Sequence, residues 1–238
     1  MSDMTQIFSE FLGTAMLVLL GGGVCAASNL KKSKAEASGW IVIAMGWATA
    51  VTIAVYVSGF MGPAHLNPAV TVGMAIAGKF SWSLVFPFVI AQVVGGIVGA
   101  IVVWLAYLPL WDETEDQGAI LGTFATGPAV RNLPANTMTE AIGTFVLVLG
   151  LLAFGENSFA EGLNPVVVGI LILAIGLSLG GPTGYAINPA RDLGPRIAHQ
   201  ILPIKNKGTS DWSYALVPIV GPVIGAVLAA GLYLVLPL

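Results

Sequence analysis

The stretch GYAINPARDLGPR (184–196) sets an Asn-Pro turn, an arginine and an aspartate inside one of the most apolar regions of the chain. A second stretch, GPAHLNPAVTVG (62–73), repeats its centre, so that Asn67-Pro68-Ala69 answers Asn188-Pro189-Ala190. Asn is a favoured helix N-cap, and Pro is favoured at the first helical position, where a missing N–H costs nothing. Each motif therefore reads as the start of a helix that follows extended, Gly- and Pro-containing backbone. Residues 67–78 number 12, or ~18 Å at 1.5 Å per residue, about half of a bilayer core.

Composition says what surrounds these short helices. The 238 residues are 56% hydrophobic and only 9% charged, where a soluble domain carries about 25% charge. No Asp, Glu, Lys or Arg occurs in Phe11–Leu30, Gly39–Gly78, Phe80–Trp111, Ala141–Gly155, Gly162–Ala190 or Trp212–Leu238. Several of these runs exceed the ~20 residues that cross a bilayer, and they lack polar faces at helical spacing. The chain is read as an integral membrane protein. A net charge of −3 without a basic stripe offers nothing to nucleic acid, and the single Cys25 excludes an intrachain disulfide. The first apolar run has Asp3 and Glu10 before it rather than a basic leader, so it reads as a retained helix.

Helix breakers divide the chain into six expected spans, at roughly 5–28, 39–58, 82–107, 136–155, 163–180 and 212–236. The acidic WDETEDQG (111–118) opens a connection to residue 135, so the chain reads as one channel domain (1–238) of two halves, about 5–110 and 136–238. EFLGTAMLVLLGGG (10–23) answers EAIGTFVLVLGLLAFG (140–155), pairing Glu10 with Glu140. QVVGGIVGA (92–100) answers PIVGPVIGA (218–226), pairing Gly95 with Gly221 and Gly99 with Gly225. Three matching pieces in one order indicate duplication, and the small-xxx-small spacing allows close helix approach. Three spans per half is odd, so the second copy enters from the opposite side. The expected fold is all-α: six transmembrane helices and two re-entrant half-helices in an inverted repeat. Interrupted segments at matching places in such halves point to a transport site.

The chemistry follows from the motifs. The carbonyl of an Asn side chain caps its helix while the NH₂ still offers donors to a lumen. Non-helical backbone survives in a bilayer only where it is buried or lines a wet cavity. The carbonyls of Pro63, Ala64 and His65, and of Gly184, Tyr185 and Ala186, are candidates for an acceptor ladder. Two positive helix ends at the midplane oppose cations and protons, whereas acceptors beside apolar walls suit small neutral solutes. Asn164-Pro165 opens an ordinary span and needs only capping. Arg191, costly in a membrane, reads as a pore-lining donor rather than a partner of its chain neighbour Asp192, which suits the first turn of a helix. Glu10 and Glu140 read as buried acceptors bracing the loops in preference to a proton relay. His65 reads as a loop brace, since His199 is the only other histidine and no metal constellation exists. No catalytic grouping or cofactor motif is present.

These motifs closely resemble the major intrinsic protein family, the aquaporins and glycerol facilitators, from about residue 5 to 236. The resemblance implies one pore per subunit, a homotetramer in the plasma membrane, and both termini in the cytoplasm. It implies a selectivity filter at Trp47 (20 before Asn67), Gly176 (12 before Asn188), Tyr185 and Arg191. Trp with Gly, and Asp192 after NPAR, resemble the glycerol-conducting branch. Tyr185 stands where glycerol facilitators typically have Phe, and Pro63 where the family often has Gly. The solutes implied are glycerol and water, with urea, dihydroxyacetone, hydrogen peroxide and a small neutral acid also open. A water-preferring channel, a proton-coupled transporter and a membrane scaffold are the rival readings. The implied orientation puts Lys31, Lys32, Lys34, Arg131, Arg196, Lys205 and Lys207 outside and Lys79 inside, the reverse of the positive-inside pattern.

Overall fold

The computed structural model describes Met1–Leu236; Pro237 and Leu238, which close the expected second half, lie outside the described residues. The described chain is built of helices: α1 (Asp3–Asn29), α2 (Trp40–Gly59), α3 (Pro68–Ile76), α4 (Trp82–Ala106), α5 (Leu108–Trp111), α6 (Gln117–Phe124), α7 (Leu133–Gly155), α8 (Asn164–Leu179), α9 (Pro189–Ile201) and α10 (Val217–Val235). Five of them, α1, α2, α4, α7 and α10, are long and apolar enough to cross a membrane. At 16 residues, or ~24 Å, α8 is shorter, because Pro165 fixes its start and Gly180-Gly181-Pro182 ends it. The last span begins at Val217 rather than 212, since Trp212–Leu216 form turns before Pro218.

The two short helices are α3, nine residues, and α9, thirteen. Packing exchanges the halves. α1 lies on α4 as α7 lies on α10, α4 meets α9 as α10 meets α3, and α2 meets its counterpart α8. The close pairs depend on glycine. A Cβ on Gly99 would fall 2.9 Å from Val18 Cβ, and one on Gly225 2.8 Å from Phe145 N, so either substitution would push the helices apart. Outward faces are apolar: Phe86 of α4 is 73% exposed and Ile41 of α2 69%, a surface suited to lipid rather than water.

The connection between halves carries structure that its acidic composition hid. Asp116 Oδ1 accepts the N–H groups of Gly118 and Ala119 at 2.8 and 3.1 Å and so starts α6. This helix packs against α1 and α9, which delivers Phe124 and Thr126 to the site below.

Candidate functional site

The site begins with unusual backbone. Ala64 and Leu66 have φ of 51° and 53°, and Tyr185 and Ile187, at the same distances before Asn188, have 39° and 42°. Non-glycine residues rarely hold positive φ. Here alternating dihedrals turn successive N–H groups to one side, a concavity that binds anions. A carboxylate sits in each. Glu10 accepts the N–H groups of His65 and Leu66 at 2.7 and 2.6 Å; Glu140 accepts those of Ala186 and Ile187 at 3.0 and 2.7 Å. With these N–H groups turned toward the carboxylates, the segments 63–66 and 185–187 lie along a cavity of about 260 Å³. In the first half Gln92 Nε2 also donates to Glu10 at 2.7 Å and to the Thr71 hydroxyl at 3.0 Å; in the second, Pro218 takes its place. The His65 ring meets Phe80 and Phe88 edge-on, 4.8 and 5.8 Å between centroids.

Asn67 and Asn188 each cap their own helix and hold the other loop. Asn67 Oδ1 accepts the Ala69 N–H at 2.9 Å, while its Nδ2 donates to the Ile187 carbonyl at 2.7 Å. Asn188 Oδ1 accepts from Ala190 and Arg191 at 3.0 and 3.2 Å, and its Nδ2 donates to the Leu66 carbonyl at 2.8 Å. One amide hydrogen of each pair is therefore committed across the halves. Only the second remains for the cavity, where sequence reasoning had assigned both. Pro68, Ala69, Pro189 and Ala190 are buried.

Opposed chemistry lines the cavity. Its lining runs from Phe154, Gly155 and Asn164 near the α7–α8 connection to Trp47, Tyr185 and Arg191. The Arg191 guanidinium lies 4.0 Å from the Trp47 ring centroid, a cation–π contact, and makes one long hydrogen bond, 3.4 Å, to the Phe124 carbonyl. Trp47 is seated on α1: its Nε1–H points away to Cys25 Sγ at 3.3 Å, and a Cβ on Gly21 would collide with its ring. Gly176 is not among the residues that line the cavity. The Tyr185 ring lies against it, and a Cβ there would come within 2.8 Å of that ring. At Gly176 the face toward the cavity is thus the Tyr185 phenol.

Two expectations need correction. Asn164 does not cap α8. Leu163 holds the cap position without a side-chain bond, and Asn164, in the first turn, lines the cavity instead. Arg196 is not an outer surface charge but is fully buried with Asp192, Nε to Oδ1 at 2.8 Å and Nη2 to Oδ2 at 3.0 Å. Asp192 turns away from Arg191 and also accepts the Thr126 N–H and hydroxyl, both at 2.7 Å. Arg196 donates onward to the carbonyls of Thr126, Ser210 and Asp211 at 2.9, 2.7 and 3.0 Å. The sequence signal was the i, i+4 spacing. Gln92, Thr126, Cys25, Gly21 and Trp40 had no signal of their own. Among the described residues no group of three or more His, Cys, Asp or Glu side chains is placed to hold a metal ion.

A cavity between two facing half-helices has known counterparts. The family model described as Major intrinsic protein matches residues 1–233. The chain belongs to this family. It is 63% identical over 232 residues to Glycerol uptake facilitator protein 3 of Lactiplantibacillus plantarum, covering 98% of this chain and 97% of that protein. It is 58% identical over 230 residues to the probable glycerol uptake facilitator of Thermotoga maritima, covering 97% and 98%. Among solved structures, the aquaglyceroporin from Plasmodium falciparum superposes with a TM-score of 0.84 at 33% identity, covering 98% of this chain and 96% of that one. The major intrinsic protein fold accounts for the six spans, the two half-helices and the exchange of the halves.

Proposed function

We propose that the protein is a passive channel for glycerol and similar small neutral solutes, passing water and excluding ions and protons. The observation that carries this reading is the two-sided cavity. Trp47 and aliphatic side chains such as Val51, Leu147 and Ile172 form a greasy wall. The two loops, Asn67, Asn188 and Arg191 supply hydrogen bonds. A polyol lays its CH groups on the first and exchanges its water for the second. Desolvation, several kcal/mol for unpartnered hydroxyls, is offset group by group. Cations meet the positive ends of α3 and α9 and the Arg191 charge. The names of the facilitator relatives support the same solute. Urea, dihydroxyacetone and hydrogen peroxide fit the same cavity chemistry.

The chain acts as one channel domain of two halves, in a plasma membrane, as a homotetramer with both termini cytoplasmic. Trp47, Tyr185 and Arg191 form the selective end, with Gly176 admitting the Tyr185 ring. Burying Arg196 removes one charge from the outer count, which remains weighted to that side. Glu10 and Glu140 serve as scaffold: both oxygens of each already accept backbone N–H groups, which argues against a proton carrier. A water-preferring channel is the second reading, favoured by the phenol over Gly176. Stopped-flow light scattering on proteoliposomes separates the two. Glycerol entry well above empty vesicles is expected; fast water with background glycerol would sink the glycerol assignment.

A further inference from the structure

His199, in the last turn of α9, is fully buried and lies outside the cavity lining. Its Nδ1 meets the Ser210 hydroxyl at 2.8 Å, while Nε2 has no hydrogen-bond partner. An imidazolium donates from both nitrogens, and no acceptor stands at Nε2 to receive the second N–H. Charge is equally unwelcome. The negative end of a helix ordinarily favours a histidine cation, but Lys207 already holds it, donating to the carbonyls of His199, Gln200 and Leu202 at 2.9, 2.7 and 2.7 Å. Arg196, one turn back, is a second cation, and its partner Asp192 is taken up by Arg196 and Thr126. In the segment 202–216, Asp211 pairs with Arg131, Tyr214 lies under Arg131, and Lys205 adds positive charge. Of the helices packed on α9, α3, α4 and α6 carry no titratable side chain. On α1, Asp3 is exposed, Glu10 holds the first loop and Cys25 accepts from Trp47; on α10, Tyr233 donates to Glu156. No carboxylate is left for a protonated His199.

The ring is also coupled to the path. It meets Phe124 edge-on at 5.4 Å and 64°, and the Phe124 carbonyl accepts the one hydrogen bond that the Arg191 side chain makes. Ser210 ties the same corner twice, with its hydroxyl on His199 and its carbonyl on Arg196 at 2.7 Å. We infer that His199 is an acid-responsive lock: proton uptake by its ring opens the 202–216 segment, shifts Phe124 and frees the Arg191 guanidinium to lean into the path, so that glycerol conduction falls in acid. The opened form takes up the proton at the ordinary histidine value of about 6.5 and the closed form resists it, so opening gains up to about tenfold per pH unit below that value. The flux readout of this inference rests on the glycerol-channel reading.

The experiment measures glycerol flux through proteoliposomes from about pH 7 to about pH 4.5, the range in which histidine charges. It compares the wild type with His199→Gln, which keeps a neutral polar side chain beside Ser210. Wild-type flux should fall roughly tenfold or more across this range, while that of the variant stays within about twofold. A flat wild-type profile, or a variant that falls in parallel, overturns the inference. If His199→Gln does not reconstitute, Lys207→Met decides. Removing a facing cation lets the imidazolium form more readily, so the fall should begin at higher pH; an unchanged or lower midpoint overturns the proposal. Wild-type vesicles that pass no glycerol at about pH 7 sink the channel reading instead. The same pH series read as Tm in detergent then tests His199 alone: a larger acid loss is expected in the wild type than in His199→Gln, and equal losses overturn the inference.

Discussion

Aligned on Asn67 and Asn188, the two re-entrant segments set Val70 against Arg191, Thr71 against Asp192 and Ala75 against Arg196. Their backbones nonetheless match, with positive φ at the same two positions, a carboxylate on the same two N–H groups, and an Asn reaching across. What the halves share shapes the cavity; what they do not share puts a guanidinium on it from one half only and anchors the second segment differently. The first segment is tied by a neutral side chain, Gln92, which donates both to Glu10 and to the Thr71 hydroxyl. The second is tied by a buried ion pair whose remaining hydrogen bonds reach Thr126, Ser210 and Asp211.

Removing one partner of that pair breaks the comparison most severely. Asp192→Ala leaves Arg196 buried without its counter-charge and should cost about 3–5 kcal/mol, read as a large fall in Tm in detergent. Copying the first half at both places, Asp192→Thr with Arg196→Ala, should recover much of that loss; no recovery would mean the pair does more than neutralise itself. Next come the symmetric carboxylates. Glu10→Gln and Glu140→Gln each replace an acceptor oxygen with an NH₂ facing a backbone N–H and should cost about 1.5–3 kcal/mol. Loss of stability together with glycerol flux is expected in both, and uphill, pH-driven accumulation by the wild type would instead revive a proton carrier. Arg191→Val, which gives the second segment the residue of the first, should raise cation leak roughly tenfold by removing a charge beside the path, measured as conductance in planar bilayers. The smallest effect belongs to Cys25→Ala. It takes the acceptor from the Trp47 N–H and should cost about 1 kcal/mol with a modest fall in glycerol flux, while Cys25→Ser restores both.

The sequence disclosed what repetition and local rules control. The Asn-Pro-Ala pair, the matched Glu10 and Glu140 and the charge-free runs are visible because each is a local pattern that occurs twice. Arg196 was misplaced because a charge at a short helix's far end looks solvent-facing until Thr126 and Ser210 close over it. Those residues come from a connection and a loop that composition marks only as polar. Asn164 was misread by the rule that correctly identified Asn67 and Asn188 as caps. The difference lies in the preceding residue: Leu163 is already helical, at φ −77° and ψ −28°, whereas Asn67 and Asn188 are themselves extended. That the Tyr185 ring packs on Gly176 is invisible in one dimension, because nothing local marks a glycine's neighbour across the fold.

The crossed asparagines also bear on biogenesis. Chains emerge and insert from the N-terminus, yet the Asn67 amide waits for the Ile187 carbonyl, 120 positions later, and the Leu66 carbonyl for Asn188. Until α9 arrives, the first loop has an unsatisfied donor and acceptor at membrane depth, a state that hydrocarbon penalises by several kcal/mol per group. The nascent first half must therefore keep water or lipid headgroups around Leu66 and Asn67, and closure of both loops becomes a single late event. Two separately synthesised halves would each stall at this stage, and each would supply the partners the other lacks.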